Sequence, residues 1–176
     1  METNAPSSFD DFADTSITGE TIDFSRYRGK VCLAVNTASN CKLAPKNFEL
    51  LRTLAQKHPN IEALLFPSQI NSFIDQEHGG SEETIARLKE ERVFATSTVF
   101  AKRNANNGVD VLGWLANKAR GILGTTSLKW NFTKFLISGN GQKVTRFSPT
   151  DTYQEMKATI AEYESEIAQV QPPASP

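Results

Sequence analysis

Two short, nearly unbroken apolar runs constrain this chain more than any other feature. They are Val31-Cys32-Leu33-Ala34-Val35 and the stretch from Ile61 to Phe66, apolar apart from Glu62. A strand with one wet face alternates in polarity, whereas a continuous run of strand length suits a parallel strand covered on both sides. Between the two runs the period changes. Phe48, Leu51 and Ala55 recur at helical spacing, Pro45 suits a first helical turn, and His58-Pro59-Asn60 ends the segment. Strand, helix, strand in this order is the unit from which parallel sheets with helical covers are built.

The rest of the chain extends the pattern. Ile17 and Ile22 flank a turn composition, so residues 9–24 read as a hairpin. The strand at Ile61 is expected to end at Pro67, and residues 68–80 read as a loop. Ser81 is placed to cap a helix carrying Glu82 and Glu83 in its first turn and Ile85 and Leu88 inside. Thr98 to Phe100 is a short strand, residues 103–110 a polar loop, and Leu112, Leu115, Ala116 and Ala119 mark another helix. Phe132 to Ile137 and Lys143 to Phe147 form a second hairpin around Ser138-Gly139-Asn140-Gly141. Tyr153, Met156, Ile160, Tyr163 and Ile167 mark a final helix. The expected fold is α/β and thioredoxin-like, a central mixed sheet with helices on both faces. Its boundaries are a flexible N-terminus over 1–8, a single domain over 9–170 and a disordered, Pro-rich tail over 171–176.

Composition narrows the function. With 19 basic and 20 acidic residues the net charge is −1, which argues against a nucleic-acid partner. No apolar run approaches the roughly 18 residues of a membrane span, so no stable membrane anchoring is expected. The first residues lack the basic end and apolar stretch of a secretory signal. Two cysteines and two histidines exclude a disulfide scaffold and a Cys-rich zinc site, so no metal is expected. A reducing compartment, most simply the cytoplasm, fits this usage.

Cys41 follows the first apolar strand and precedes a helix. It therefore sits at the carboxyl end of a parallel strand, where open α/β sheets place ligands. A helix amino terminus also favours a thiolate, and Lys42 and Lys46 add positive potential. Cys41 reads either as a reactive thiol or as an ordinary loop residue. Cys32, inside the apolar run, reads as a small hydrophobe. In Trp130-Asn131 an indole N–H and a carboxamide offer donors side by side at a strand start, although plain packing explains them equally well.

Taken in order, these segments resemble the glutathione peroxidase family from about Phe9 to Ile167. The family stretch Y-x-G-K-V-x-L-x-V-N-x-A-S-x-C is met by Tyr27, Gly29, Lys30, Val31, Leu33, Val35, Asn36, Ala38, Ser39 and Cys41. W-N-F-T-K-F-L is met without change at Trp130 to Leu136, and Arg-x-x-P-T at Arg146 to Thr150. The resemblance implies a thiol peroxidase that reduces hydrogen peroxide and organic or lipid hydroperoxides. Cys41 would be the peroxidatic residue, with Trp130 and Asn131 as donors around it. It implies no bound cofactor; glutathione or a thioredoxin-type thiol serves as reducing co-substrate. The short chain resembles the monomeric, phospholipid-hydroperoxide-type branch.

Three departures stand out. The family's F-P-C-N-Q-F-G-x-Q-E is two residues longer here, running from Phe66 to Glu77. Anchored at Phe66-Pro67, Gln69 is the glutamine nearest the family's catalytic place; anchored at Gln76-Glu77, Ser72 falls in that place. Lys42 stands where a glycine usually follows the active residue, and no resolving cysteine lies between Ile85 and Phe94. The last point implies a one-cysteine cycle. The altered loop also admits a redox sensor, or a degenerate binding module with little turnover, as the alternative. A peroxiredoxin fits less well, because its Pro and Thr would fall at Ala34 and Ala38.

Overall fold

The computed structural model describes residues 6–70, 75–77 and 79–170. Its strands are β1 (Ala13–Thr15), β2 (Thr21–Asp23), β3 (Cys32–Thr37), β4 (Glu62–Gln69), β5 (Ser97–Val99), β6 (Arg103–Asn104), β7 (Lys134–Ile137) and β8 (Val144–Phe147). Its helices are α1 (Ala44–Lys57), α2 (Ser81–Glu90), α3 (Val111–Lys118) and α4 (Tyr153–Val170). The main sheet runs β5-β4-β3-β7-β8, with β6 continuing along β4 beyond β5, and β1-β2 form a separate hairpin. β3 pairs parallel with β4 and antiparallel with β7, so the sheet is mixed.

All six residues of β3 are buried, because both sheet faces are covered. Leu33, Val35, Leu65 and Leu136 pack with Phe48, Leu51 and Leu54 of α1, Leu88 of α2, and Met156 and Ile160 of α4. On the opposite face Cys32, Ala34, Leu64, Phe66 and Phe135 pack with Val111, Leu112 and Leu115 of α3 and with Phe9, Phe24 and Phe100. The period-two alternation of the strands assigns neighbouring residues to the two cores. This is the expected thioredoxin-like sandwich.

Local departures have local causes. β4 runs through Pro67 to Gln69 instead of stopping at the proline. Leu65 O accepts from Phe100 N and Gln69 O from Ala105 N, so residue 67 faces the same outer edge by alternation. There it falls between the end of β5 and the start of β6, where no ladder bond is lost. Ser81 is the first residue of α2 and not its cap; Gly80 holds that place, and its N–H donates to Glu83 Oε2 at 2.9 Å. The stretch expected as flexible before residue 9 is already tied from Pro6. Trp114 Nε1 donates to Pro6 O, and the amides of Ser7 and Ser8 donate to Asp11 Oδ2. The tail over 171–176 lies outside the described residues.

Candidate active site

The chain leaves β3 at Thr37, crosses the carboxyl edge of the sheet and enters α1 at Ala44. Cys41 lies in this crossing, half-buried against the α1 core. Its own N–H donates to Ala38 O at 3.1 Å, its carbonyl accepts from Ala44 N at 2.9 Å, and Leu43 N–H donates to Sγ at 3.5 Å. The sulfur thus faces an amide at the amino end of a fourteen-residue helix. Free N–H groups and the helix dipole there favour a negative charge. Cys32, nine residues back, is buried, and that burial pushes its thiol well above the ordinary range, with Glu62 and Asp10 adding to the effect. Both cysteines are free thiols.

The start of β7 arrives beside the end of β3. Phe132 N donates to Asn36 O at 2.7 Å, and Asn36 Nδ2 donates to Trp130 O at 3.2 Å. Phe132 is buried with a φ of 65°, a left-handed conformation that costs a bulky residue about 1 kcal/mol or more. The same strain explains why the strand expected from Phe132 begins only at Lys134. The Lys134 ammonium is buried and donates to the carbonyls of Phe132, Ser148 and Pro149. Pro149 O also accepts from Asn47 Nδ2, which in turn donates to Leu43 O beside Cys41. A chain of buried polar bonds thereby joins the amino end of α1 to the strained turn that carries Trp130 and Asn131.

Of the two expected donors, Asn131 is buried and Trp130 is 68% exposed. Trp130 borders an open depression of about 650 Å³ whose other walls include Arg120, Ile122, Leu123, Lys129 and Arg146. Ile122 and Leu123 are almost fully exposed there. Asn131 Nδ2 donates to Gln76 Oε1 at 2.8 Å, and Gln76 O accepts from Asn40 N at 2.9 Å. One residue therefore links Asn131 to the Cys41 loop. Next in sequence, Glu77 is wholly buried, and its carboxylate accepts from Ser39 N at 2.6 Å, Thr84 Oγ1 at 3.1 Å and Arg87 Nη2 at 3.0 Å. Gln69 stands at the last position of β4, paired with Asn104, at the same edge of the sheet. Ser72, its rival for the glutamine place, lies outside the described residues. In the sequence Gln76 and Glu77 serve only to anchor an alignment. Their contacts reach 55 and 38 residues away, and apart from the family's Q-E, which they match, the sequence does not signal them. Among the described residues no group of three His, Cys, Asp or Glu side chains could hold a metal ion.

The family model described as Glutathione peroxidase matches residues 9–113. A sunflower (Helianthus annuus) protein named a probable phospholipid hydroperoxide glutathione peroxidase is 40% identical over 143 residues, covering 79% of this chain and 77% of its own. The chain belongs to the glutathione peroxidase family. A Lactococcus lactis glutathione peroxidase is 38% identical over 156 residues, covering 86% of this chain and 96% of its own. Among solved structures, the apo form of Trgpx superposes with a TM-score of 0.67 at 28% identity, covering 90% of this chain and 96% of that one. As a member of the glutathione peroxidase family the chain is an oxidoreductase that reduces peroxides at the expense of thiols. The family supplies the reaction, and the geometry above places one part-exposed thiol where that reaction could occur.

Proposed function

We propose that Cys41 is the sulfur through which this chain reduces hydrogen peroxide and organic or lipid hydroperoxides. The observation that carries the reading is the Leu43 amide directed at Sγ at the amino end of α1. A donor there lowers the cost of the thiolate, which is the nucleophile. The thiolate attacks the outer peroxide oxygen, an S–O bond forms, and the O–O bond breaks. Cys41 becomes a sulfenic acid, and the departing hydroxide or alkoxide takes a proton to leave as water or alcohol. Trp130 and Asn131 are the proposed donors to the departing oxygen. Such donors act where charge develops. Gln69, at the same edge of the sheet, is the proposed third donor.

Return to the thiol takes two equivalents of an external thiol. The first condenses with the sulfenic acid, releasing water and leaving a mixed disulfide. The second displaces Cys41 and forms the external disulfide. Without a cysteine between Ile85 and Phe94 to resolve the intermediate internally, glutathione or a thioredoxin-type thiol acts on Cys41 directly. A monomer acting in the cytoplasm is part of the same proposal, to be checked by size-exclusion chromatography and cell fractionation.

Stopped-flow oxidation by hydrogen peroxide tests the central claim. Cys41→Ser is expected to lose the fast reaction altogether, a fall of at least about a thousandfold. A serine variant that reacts as fast as the parent overturns the assignment. Steady-state turnover with glutathione, and separately with thioredoxin, identifies the reductant. A sensor would instead form sulfenic acid and then turn over with neither.

A further inference from the structure

Residues 75–77 run beside the Cys41 loop and bond both to it and to the side chains around it. Gln76 uses its backbone carbonyl for Asn40 N and its side-chain oxygen for Asn131 Nδ2. Glu77 uses one carboxylate oxygen for Ser39 N and the other for Thr84 and Arg87. The segment is pinned from behind by Lys102, whose ammonium donates to Asp75 Oδ2 at 2.8 Å and to the Glu77 carbonyl. Asp75 Oδ1 also accepts from Glu77 N at 3.0 Å. Two acids and two bases face one another in this cluster, so a wholly buried carboxylate is held beside the loop with its charge answered. A buried carboxylate without such partners would be strongly disfavoured.

Consecutive residues thus hold both halves of the site. The amides of Ser39 and Asn40 immediately precede Cys41, and with the Cys41 N–H to Ala38 O turn they set where the sulfur lies. The bond from Asn131 fixes which way that carboxamide faces. Asn131 Oδ1 is buried and has no partner among the described residues, so Gln76 is the side chain that orients the group. We propose that Gln76 and Glu77 are positioning residues: Gln76 orients Asn131 toward the departing oxygen, and Glu77 holds the loop that presents Cys41. This rests on the reading of Cys41 as the reacting thiolate.

The two roles separate by leaving group. Iodoacetamide also reacts with the Cys41 thiolate, but its iodide needs no hydrogen-bond donor, whereas hydroxide leaving from peroxide does. Gln76→Leu removes the acceptor for Asn131 and keeps the backbone bond to Asn40. Its second-order rate with hydrogen peroxide is expected to fall about tenfold, with alkylation by iodoacetamide within about twofold of the parent. In an Asn131→Ala background the same change is expected to add no further loss, the sign of one shared interaction. Glu77→Ala is expected to slow both reactions together, and Glu77→Gln, which keeps an acceptor for Ser39 N, to recover most of that loss. Gln76→Ala serves in the same assays should the leucine variant fail to fold.

A Gln76→Leu peroxide rate within twofold of the parent, additive loss with Asn131→Ala, or a Glu77→Ala variant with unchanged rates overturns the proposal. Cys41→Ser, run alongside, keeps the two readings apart. If it retains the peroxide reaction, the assignment of Cys41 fails. If it loses the reaction while Gln76→Leu does not, only the positioning role fails.

Discussion

The two ends of β3 are built from opposite materials. At the amino end Cys32 sits among Ala34, Leu64, Phe135 and Ile137, and its register partner on β7 is Ile137. At the carboxyl end Asn36 and Thr37 are buried with Ser68, Glu77, Asn131, Thr133 and Lys134, and the register partner of Val35 is the lysine. The backbone is a regular strand throughout. A thiol at one end is locked in its neutral form by burial, and a thiol just past the other end receives an amide. Reactivity here depends on which end of the strand a cysteine occupies. Helices start at the carboxyl end of a parallel strand, and loops leave room there for polar partners. The buried amides and ions at that end cost stability unless each finds a partner, so their concentration in one place marks a site.

The sharpest way to break this contrast is to ask both sulfurs the same question. In the folded protein at pH 7.5, iodoacetamide is expected to label Cys41 at least about a hundred times faster than Cys32, and in strong denaturant at equal rates. Mass spectrometry of the labelled peptides reads both. Comparable labelling of the two in the native state would remove the distinction. A second, smaller effect belongs to the amino end. Cys32→Ser puts a hydroxyl into an apolar face and is expected to cost about 1–3 kcal/mol of stability by urea denaturation, with the peroxide rate unchanged within about twofold. A large loss of peroxide rate without loss of stability would mean that Cys32 takes part in the chemistry.

The apolar end was legible from the residues alone, and so was most of the architecture. β3 declares itself because a strand covered on both faces has no polar residue to interrupt Val31 to Val35, and α4 because its buried residues repeat at helical spacing. Cys41 was legible for a related reason: its place in chain order between a buried strand and a helix defines its position in space. The polar end was not. Glu77 to Ser39 and Gln76 to Asn131 are bonds across 38 and 55 residues, made by a loop whose composition resembles any solvated loop. Nor does Pro67 announce that its missing N–H falls in a gap between two partner strands. Phe132, in a left-handed conformation where glycine would be expected, looks like one more strand residue.

Lys134 offers the smallest effect and the most direct measure of what the polar end costs. Burial pushes its ammonium down to about 8 from an ordinary 10.5, against the pull of Asp151 and Glu155. Between those two values the unfolded chain holds a proton that the folded chain has shed. Folding stability from this group therefore rises with pH through that window, and the penalty is greatest below about pH 8. Lys134→Met removes the titration along with the bonds to Phe132, Ser148 and Pro149. Urea denaturation at pH 7 and pH 9.5 is expected to show the parent gaining on the variant by about 1–2 kcal/mol over that interval, groups common to both cancelling. A parent that gains nothing on the variant over that interval, or loses ground to it, would mean that the three carbonyls hold the lysine charged in the folded state. The ammonium would then be a full structural cation at the mouth of the sheet, adding positive potential near the end of the strand that leads to Cys41.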